Sequence, residues 1–71
     1  MKNFILVSRK KFRGEDGKKY TVRIYKHTPT NRLIKEVVSK DSHVWQDVNG
    51  NSTASLEFWI QEFFKHPKTL S

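Results

Sequence analysis

The four residues Gly14-Glu15-Asp16-Gly17 constrain this chain more than any other segment, because they separate two runs that alternate as β-strands do. The runs extend from Phe4 to Arg13 and from Lys18 to His27, the second rich in Tyr, Thr, Val and Ile. Glu15 and Asp16 suit the central positions of a type I turn, and Gly17 suits the left-handed residue that completes a three-residue loop with a G1 bulge. Such a loop sets the register: Gly14 faces Lys18, Arg13 faces Lys19 and Arg9 faces Arg23. Side chains alternate with a period of two, so a loop one residue longer or shorter would scramble both faces.

In this register one side of the hairpin gathers Leu6, Ser8, Lys10, Phe12, Tyr20, Val22, Ile24 and Lys26, and it is expected to face the core. The other gathers Ile5, Val7, Arg9, Lys11, Arg13, Lys19, Thr21, Arg23, Tyr25 and His27, and reads as an exposed basic face. Arg9 opposite Arg23 and Arg13 opposite Lys19 place like charges across the strands, which costs from several tenths to about 1 kcal/mol per pair. A bound anion would relieve that repulsion.

Thr28-Pro29-Thr30-Asn31 then reads as a turn, Arg32 to Ser39 as a third strand, and Lys40-Asp41-Ser42 as a second turn. A short strand candidate containing Trp45 follows from His43 to Val48, and Asn49-Gly50-Asn51-Ser52 breaks the chain. Leu56, Trp59, Ile60, Phe63 and Phe64 recur at helical spacing and define one apolar stripe. Ser52 or Thr53 is the expected N-cap, Glu57 complements the positive end of the helix dipole, Lys65 and His66 complement the negative end, and Pro67 stops the helix. The expected fold is α+β: a three- to four-stranded antiparallel sheet packed on one C-terminal helix at about 54–66. It forms a single domain over residues 1–71, with only the last few residues looking disordered.

A chain of 71 residues buries only roughly 60% of the surface that it exposes when unfolded, so five Phe, two Trp and two Tyr must supply most of the packing. The absence of Cys removes disulfides and thiolate metal sites and fits a reducing compartment. No run approaches a membrane span, and the four apolar residues after Met1-Lys2-Asn3 are too few for a secretory signal core, so a cytoplasmic location is expected. A single Ala among many Lys, Asn, Thr, Phe and Ile is the compositional bias of an AT-rich coding genome, such as that of a phage or mobile element.

Charge is distributed unevenly. Residues 1–35 carry eleven Lys/Arg against Glu15 and Asp16, a net of +9, whereas residues 36–71 carry three Lys against five carboxylates, a net of −2. A concentrated positive field opposes folding through self-repulsion and implies a polyanionic partner. Catalytic constellations find no support: His27, His43 and His66 are scattered, no glycine-rich phosphate loop is present, and no carboxylates cluster as a metal-dependent nuclease requires. No enzyme activity, metal or cofactor is therefore expected. The candidate nucleic-acid-binding residues are Arg9, Lys11, Arg13, Lys19, Arg23, Tyr25 and His27, since Arg and Lys reach phosphates and Tyr25 can stack on a base or sugar. Phe58 projects opposite the apolar stripe and is a candidate protein contact.

The segments Asp16 to Tyr25 (D-G-K-K-Y-T-V-R-I-Y) and Thr53 to Phe63 (T-A-S-L-E-F-W-I-Q-E-F) resemble the N-terminal arm-type DNA-binding domains of phage and transposon integrases. Asp41 to Asn51 reads as an insertion relative to that pattern. The resemblance implies a three-stranded sheet placed in the major groove and backed by a C-terminal helix, with Arg9, Lys11, Arg23 and Tyr25 facing the groove; recombinase activity is not implied. The expected function is a nucleic-acid-binding module with DNA favoured over RNA, an accessory or regulatory factor of a phage or mobile element. The alternative is a small protein-binding inhibitor that applies the same basic face to an acidic protein partner.

Overall fold

A computed structural model describes residues 2–48 and 52–67. Among these described residues five strands run in chain order: β1 (Phe4–Arg13), β2 (Lys19–His27), β3 (Arg32–Val38), β4 (His43–Asp47) and β5 (Thr53–Ala54), followed by helix α1 (Leu56–Lys65). They form one antiparallel sheet in the order β1-β2-β3-β4-β5, each strand pairing with its sequence neighbour. The α+β architecture is as expected. The sheet gains a fifth strand, the two residues of β5, where the sequence suggested only the approach to the helix. The expected break at 49–51 and the disordered end at 68–71 lie outside the described residues.

The first hairpin forms as its turn chemistry dictates. Gly17 N–H donates to Gly14 O at 3.0 Å, Gly14 N–H donates to Lys18 O at 2.8 Å, and Gly17 adopts φ +81°. Asp16 clamps the turn, accepting from Lys18 N–H at 2.9 Å and from the Tyr20 hydroxyl at 2.6 Å. The Tyr20 ring lies over Gly14 so closely that a Cβ there would come within 2.7 Å of it. Arg13↔Lys19 and Arg9↔Arg23 pair as anticipated. Beyond Ser8 the register slips by one at a bulge between Leu6 and Ser8, and Phe4 comes to face His27.

The helix lies on the side opposite to the one expected. Tyr25 pairs with Ile34, and Trp45 pairs with Glu36, so these residues share one face of the sheet. That face holds the core: Ile34, Trp59 and Phe63 are buried, with Phe4, Tyr25, Trp45, Ala54 and Leu56 packed against them. The Trp59 indole N–H reaches Trp45 O at 3.2 Å, Arg32 donates to the His66 carbonyl at the end of α1, and its guanidinium lies 5.2 Å from the Phe63 ring centroid. The face expected to be the core (Ser8, Lys10, Phe12, Tyr20, Val22, Ile24, Lys26) is turned away from α1, and no described element covers it. Leu6 alone of that set pairs with Tyr25 on the helix side, because the bulge separates it from the rest.

Two helix details also differ from expectation. Ser55, not Ser52 or Thr53, is the N-cap, its side chain accepting from Phe58 N–H at 3.2 Å, because Thr53 is held in β5 opposite Gln46. Phe64, expected on the buried stripe, is 58% exposed and meets the His27 ring edge-on.

Candidate nucleic-acid interface

Strand β2 positions the candidate residues, and its pairing with β3 decides which of them remain available. Thr21↔Val38 is the last β2–β3 pair, so beyond it β1 and β2 continue as a two-stranded ribbon toward the Gly14–Gly17 turn. This end contributes to an elongated molecule of 41 × 22 × 20 Å. The helix packs at the opposite end, where Phe63 lies 5.5 Å from His27 between ring centroids. The distal half of the helix-side face is thus left clear.

The seven candidates do share one face, but they divide into two groups. Arg9, Lys11, Arg13 and Lys19 are exposed on the distal half. Alternate residues along a strand recur about every 6.8 Å, so Arg9, Lys11 and Arg13 form a regular row of cations. No ion pair to any of these four occurs among the described residues. Arg13 stands directly opposite Lys19 with that repulsion unrelieved. A depression of about 360 Å³ on the ribbon is lined by Lys11, Phe12, Arg13, Lys19, Tyr20 and Thr21.

Arg23, Tyr25 and His27 belong instead to the fold. Glu36, only 7% exposed, receives Arg23 at 2.8 Å and pairs with the His43 ring at 2.7 Å. The Glu36 carboxylate holds the Arg23 guanidinium in its charged form, raising its pKa. The repulsion expected between Arg9 and Arg23 is therefore offset within the protein rather than by a ligand. Tyr25 packs on the core and meets Phe4 edge-on at 6.4 Å. His27, expected at the surface, is 2% exposed among Phe4, Phe63 and Phe64, with Thr30 Oγ1 at 2.7 Å from Nδ1. Burial lowers its pKa and keeps the imidazole neutral.

Two further cations stand on the ribbon outside the candidate row. Lys10 extends from the opposite face of β1, where the alternation predicted the core side, and Lys18 sits at the turn, 3.1 Å from Asp41 in the β3–β4 loop. The aromatic pair Phe12 and Tyr20 stacks across the strands, with centroids 5.6 Å apart and planes inclined by 21°. The signal that could have found this arrangement is the four-residue turn Thr28–Asn31, which sets Ile34 against Tyr25 and Glu36 against Arg23. Phe58, at 45% exposure, packs edge-on against Trp59 and lines a cleft of about 610 Å³ with Arg32 and Glu62. Among the described residues no three His, Asp or Glu side chains converge as a metal site, and no helix is long and apolar enough to cross a membrane. Comparison with known protein families, curated proteins and solved structures finds no match.

Proposed function

We propose that this protein binds nucleic acid, DNA in preference to RNA, through the distal half of the β1–β2 ribbon, and acts as an accessory or regulatory factor rather than as an enzyme. The observation that carries this reading is the cluster of Arg9, Lys11, Arg13 and Lys19 on one face of the β1–β2 hairpin, running from the sheet out onto the two-stranded ribbon, with Arg13 opposed to Lys19 and no ion pair to any of them among the described residues. Such a cluster opposes folding unless a polyanion meets it. A two-stranded ribbon also has dimensions that the major groove admits. Arg9, Lys11, Arg13 and Lys19 reach phosphates or base edges, while Arg23, Tyr25 and His27 anchor the ribbon to β3 and α1 instead of touching the ligand.

The test is fluorescence anisotropy of a short labelled duplex over a salt series. Binding weakens steeply with salt, and replacing Lys11, Arg13 and Lys19 together by Gln lowers the slope of log K against log[salt] by about 0.9 for each phosphate that is no longer neutralised. A parent protein that leaves the duplex free at ~50 mM salt, where non-specific binding is strong, overturns the reading.

A further inference from the structure

The sheet face turned away from α1 is left unused by the ribbon reading. Its side chains follow from the register: Ile5, which the bulge moves here from the face expected to be basic, with Ser8, Lys10 and Phe12 of β1; Tyr20, Val22, Ile24 and Lys26 of β2; Leu33, Lys35 and Val37 of β3; Val44 and Gln46 of β4. Its apolar part is continuous, because Val22 pairs with Val37 and Val37 with Val44. Antiparallel sheets commonly leave one face to solvent, and here no described element lies on this one, so its apolar surface is open to a partner. Its charges decide what could lie there. Lys10, Lys26 and Lys35 stand on three strands, and none of the strand residues on this face is a carboxylate. Asp16 reaches it only at the turn, where it accepts from the Tyr20 hydroxyl. A second copy stacked face to face would bring two sets of these ammonium groups together without a counter-charge.

An occupant must therefore combine flat apolar surface with negative charge. Unpaired nucleotides do so, because every base offers a π-face and every linkage a phosphate. Phe12, 47% exposed and stacked on Tyr20, supplies the aromatic platform at one end of the face. Lys10 lies beside it, and Lys26 and Lys35 lie farther along toward β3. A duplex cannot use such a platform, since its bases are stacked on one another.

We propose that this second face binds single-stranded nucleic acid, with a base stacked on Phe12 and Tyr20 and the backbone held by Lys10, Lys26 and Lys35. The inference shares with the ribbon reading only the class of partner, and the two use opposite faces. Together they describe a protein that engages a duplex through one side of its hairpin and an unpaired strand through the other.

The experiment uses the full chain with labelled oligodeoxythymidine and labelled oligouridine, followed by anisotropy across a salt series with an unlabelled duplex as competitor. Binding of either oligomer supports the proposal, and their relative affinities state which sugar is preferred. Phe12→Leu keeps an apolar side chain but removes the ring, and is expected to weaken oligomer binding by roughly 5- to 150-fold, the range for unstacking one base. The pair Lys26→Gln and Lys35→Gln, independent of the platform, lowers the oligomer salt slope by about 0.7 per phosphate released and spares the duplex. Failure of the parent to bind either oligomer overturns the proposal, as does oligomer affinity that is indifferent to both variants. Concentration-dependent dimers in sedimentation velocity that Phe12→Leu abolishes would also overturn it, by assigning the face to a second copy. Loss of duplex binding alone from the Lys11, Arg13 and Lys19 variant bears on the ribbon and leaves this face untouched.

Discussion

Trp59→Ala removes the largest ring in the core, and its effect can be worked from the packing. Trp59 is 8% exposed, stacks 6.4 Å from Phe63 and donates its indole N–H to Trp45 O at 3.2 Å. Truncating a buried Trp to Ala costs about 3 to 5 kcal/mol through lost transfer energy and the residual cavity. The freed Trp45 carbonyl adds about 1 to 3 kcal/mol where water cannot replace the donor. A chain of this length has roughly 4 to 11 kcal/mol of total stability on per-residue averages, so the variant is expected to be largely unfolded or barely folded. Urea denaturation followed by far-UV circular dichroism measures this, and the midpoint should fall by at least about 1 M for m-values of about 1 to 3 kcal/mol/M. Trp59→Phe separates the two contributions: the ring volume is largely kept, the N–H is removed, and the cost should be roughly 1 to 3 kcal/mol. A Trp59→Ala midpoint that stays close to the parent would refute the placement of α1 on the Tyr25 and Ile34 face.

Three further outcomes follow from the geometry. Gly17→Val forces a β-branched residue into φ +81°, so the hairpin turn should be strained and thermal stability should fall, whereas an unchanged melt would exclude the observed loop. His27 has its pKa lowered by burial, so below the unfolded value near 6.5 the unfolded chain binds a proton that the folded one does not; stability is complete above that pH and falls as the pH drops below it, and His27→Asn should remove this dependence in melts collected from neutral to acid pH. Ser55→Ala removes the side chain that caps Phe58 N–H and should cost about 1 kcal/mol, while Ser52→Ala and Thr53→Ala should not lower the stability of α1 through capping.

Local chemistry made the strands, the first turn and the helix legible, because each rests on residues close in sequence. Gly17 fixed the hairpin loop, and with it the pairing of residues 8–13 with 19–24. The helix face was legible at Trp59 and Phe63, which are both buried, but not at Phe64, which is 58% exposed. The side of the sheet that receives the helix was not. Counted within the hairpin alone, Tyr20, Val22 and Ile24 outweigh Thr21, Arg23 and Tyr25 as a core. The balance reverses only when β3 is added: it places Ile34 beside Tyr25 and supplies Glu36, which neutralises Arg23 in a buried position. His27 likewise looks polar in isolation and becomes part of the core through Thr30 and the rings around it. The Leu6/Ser8 bulge has no glycine to announce it, and it is what allows Phe4 to join the helix-side core opposite His27. The candidate site was therefore legible as a row of cations on one face. Its division into free and structural residues depended on a long-range partner.

The proposed interface rests on the free distal cations rather than on net positive charge. Its most direct test compares two doubly substituted proteins of equal charge. Lys11→Gln with Arg13→Gln empties part of the ribbon row, and Lys2→Gln with Lys65→Gln removes the same charge from exposed positions at the other end of the molecule and on α1. Duplex affinity is measured by anisotropy for both across a salt series, with thermal melts recorded alongside. The ribbon variant should lose affinity, with a salt slope shallower by about 0.9 for each phosphate released, and should melt at or above the parent temperature because the Arg13 and Lys19 repulsion is relieved. The control should change much less. Equal losses in the two proteins would contradict the account and reduce the ribbon to a general charge effect.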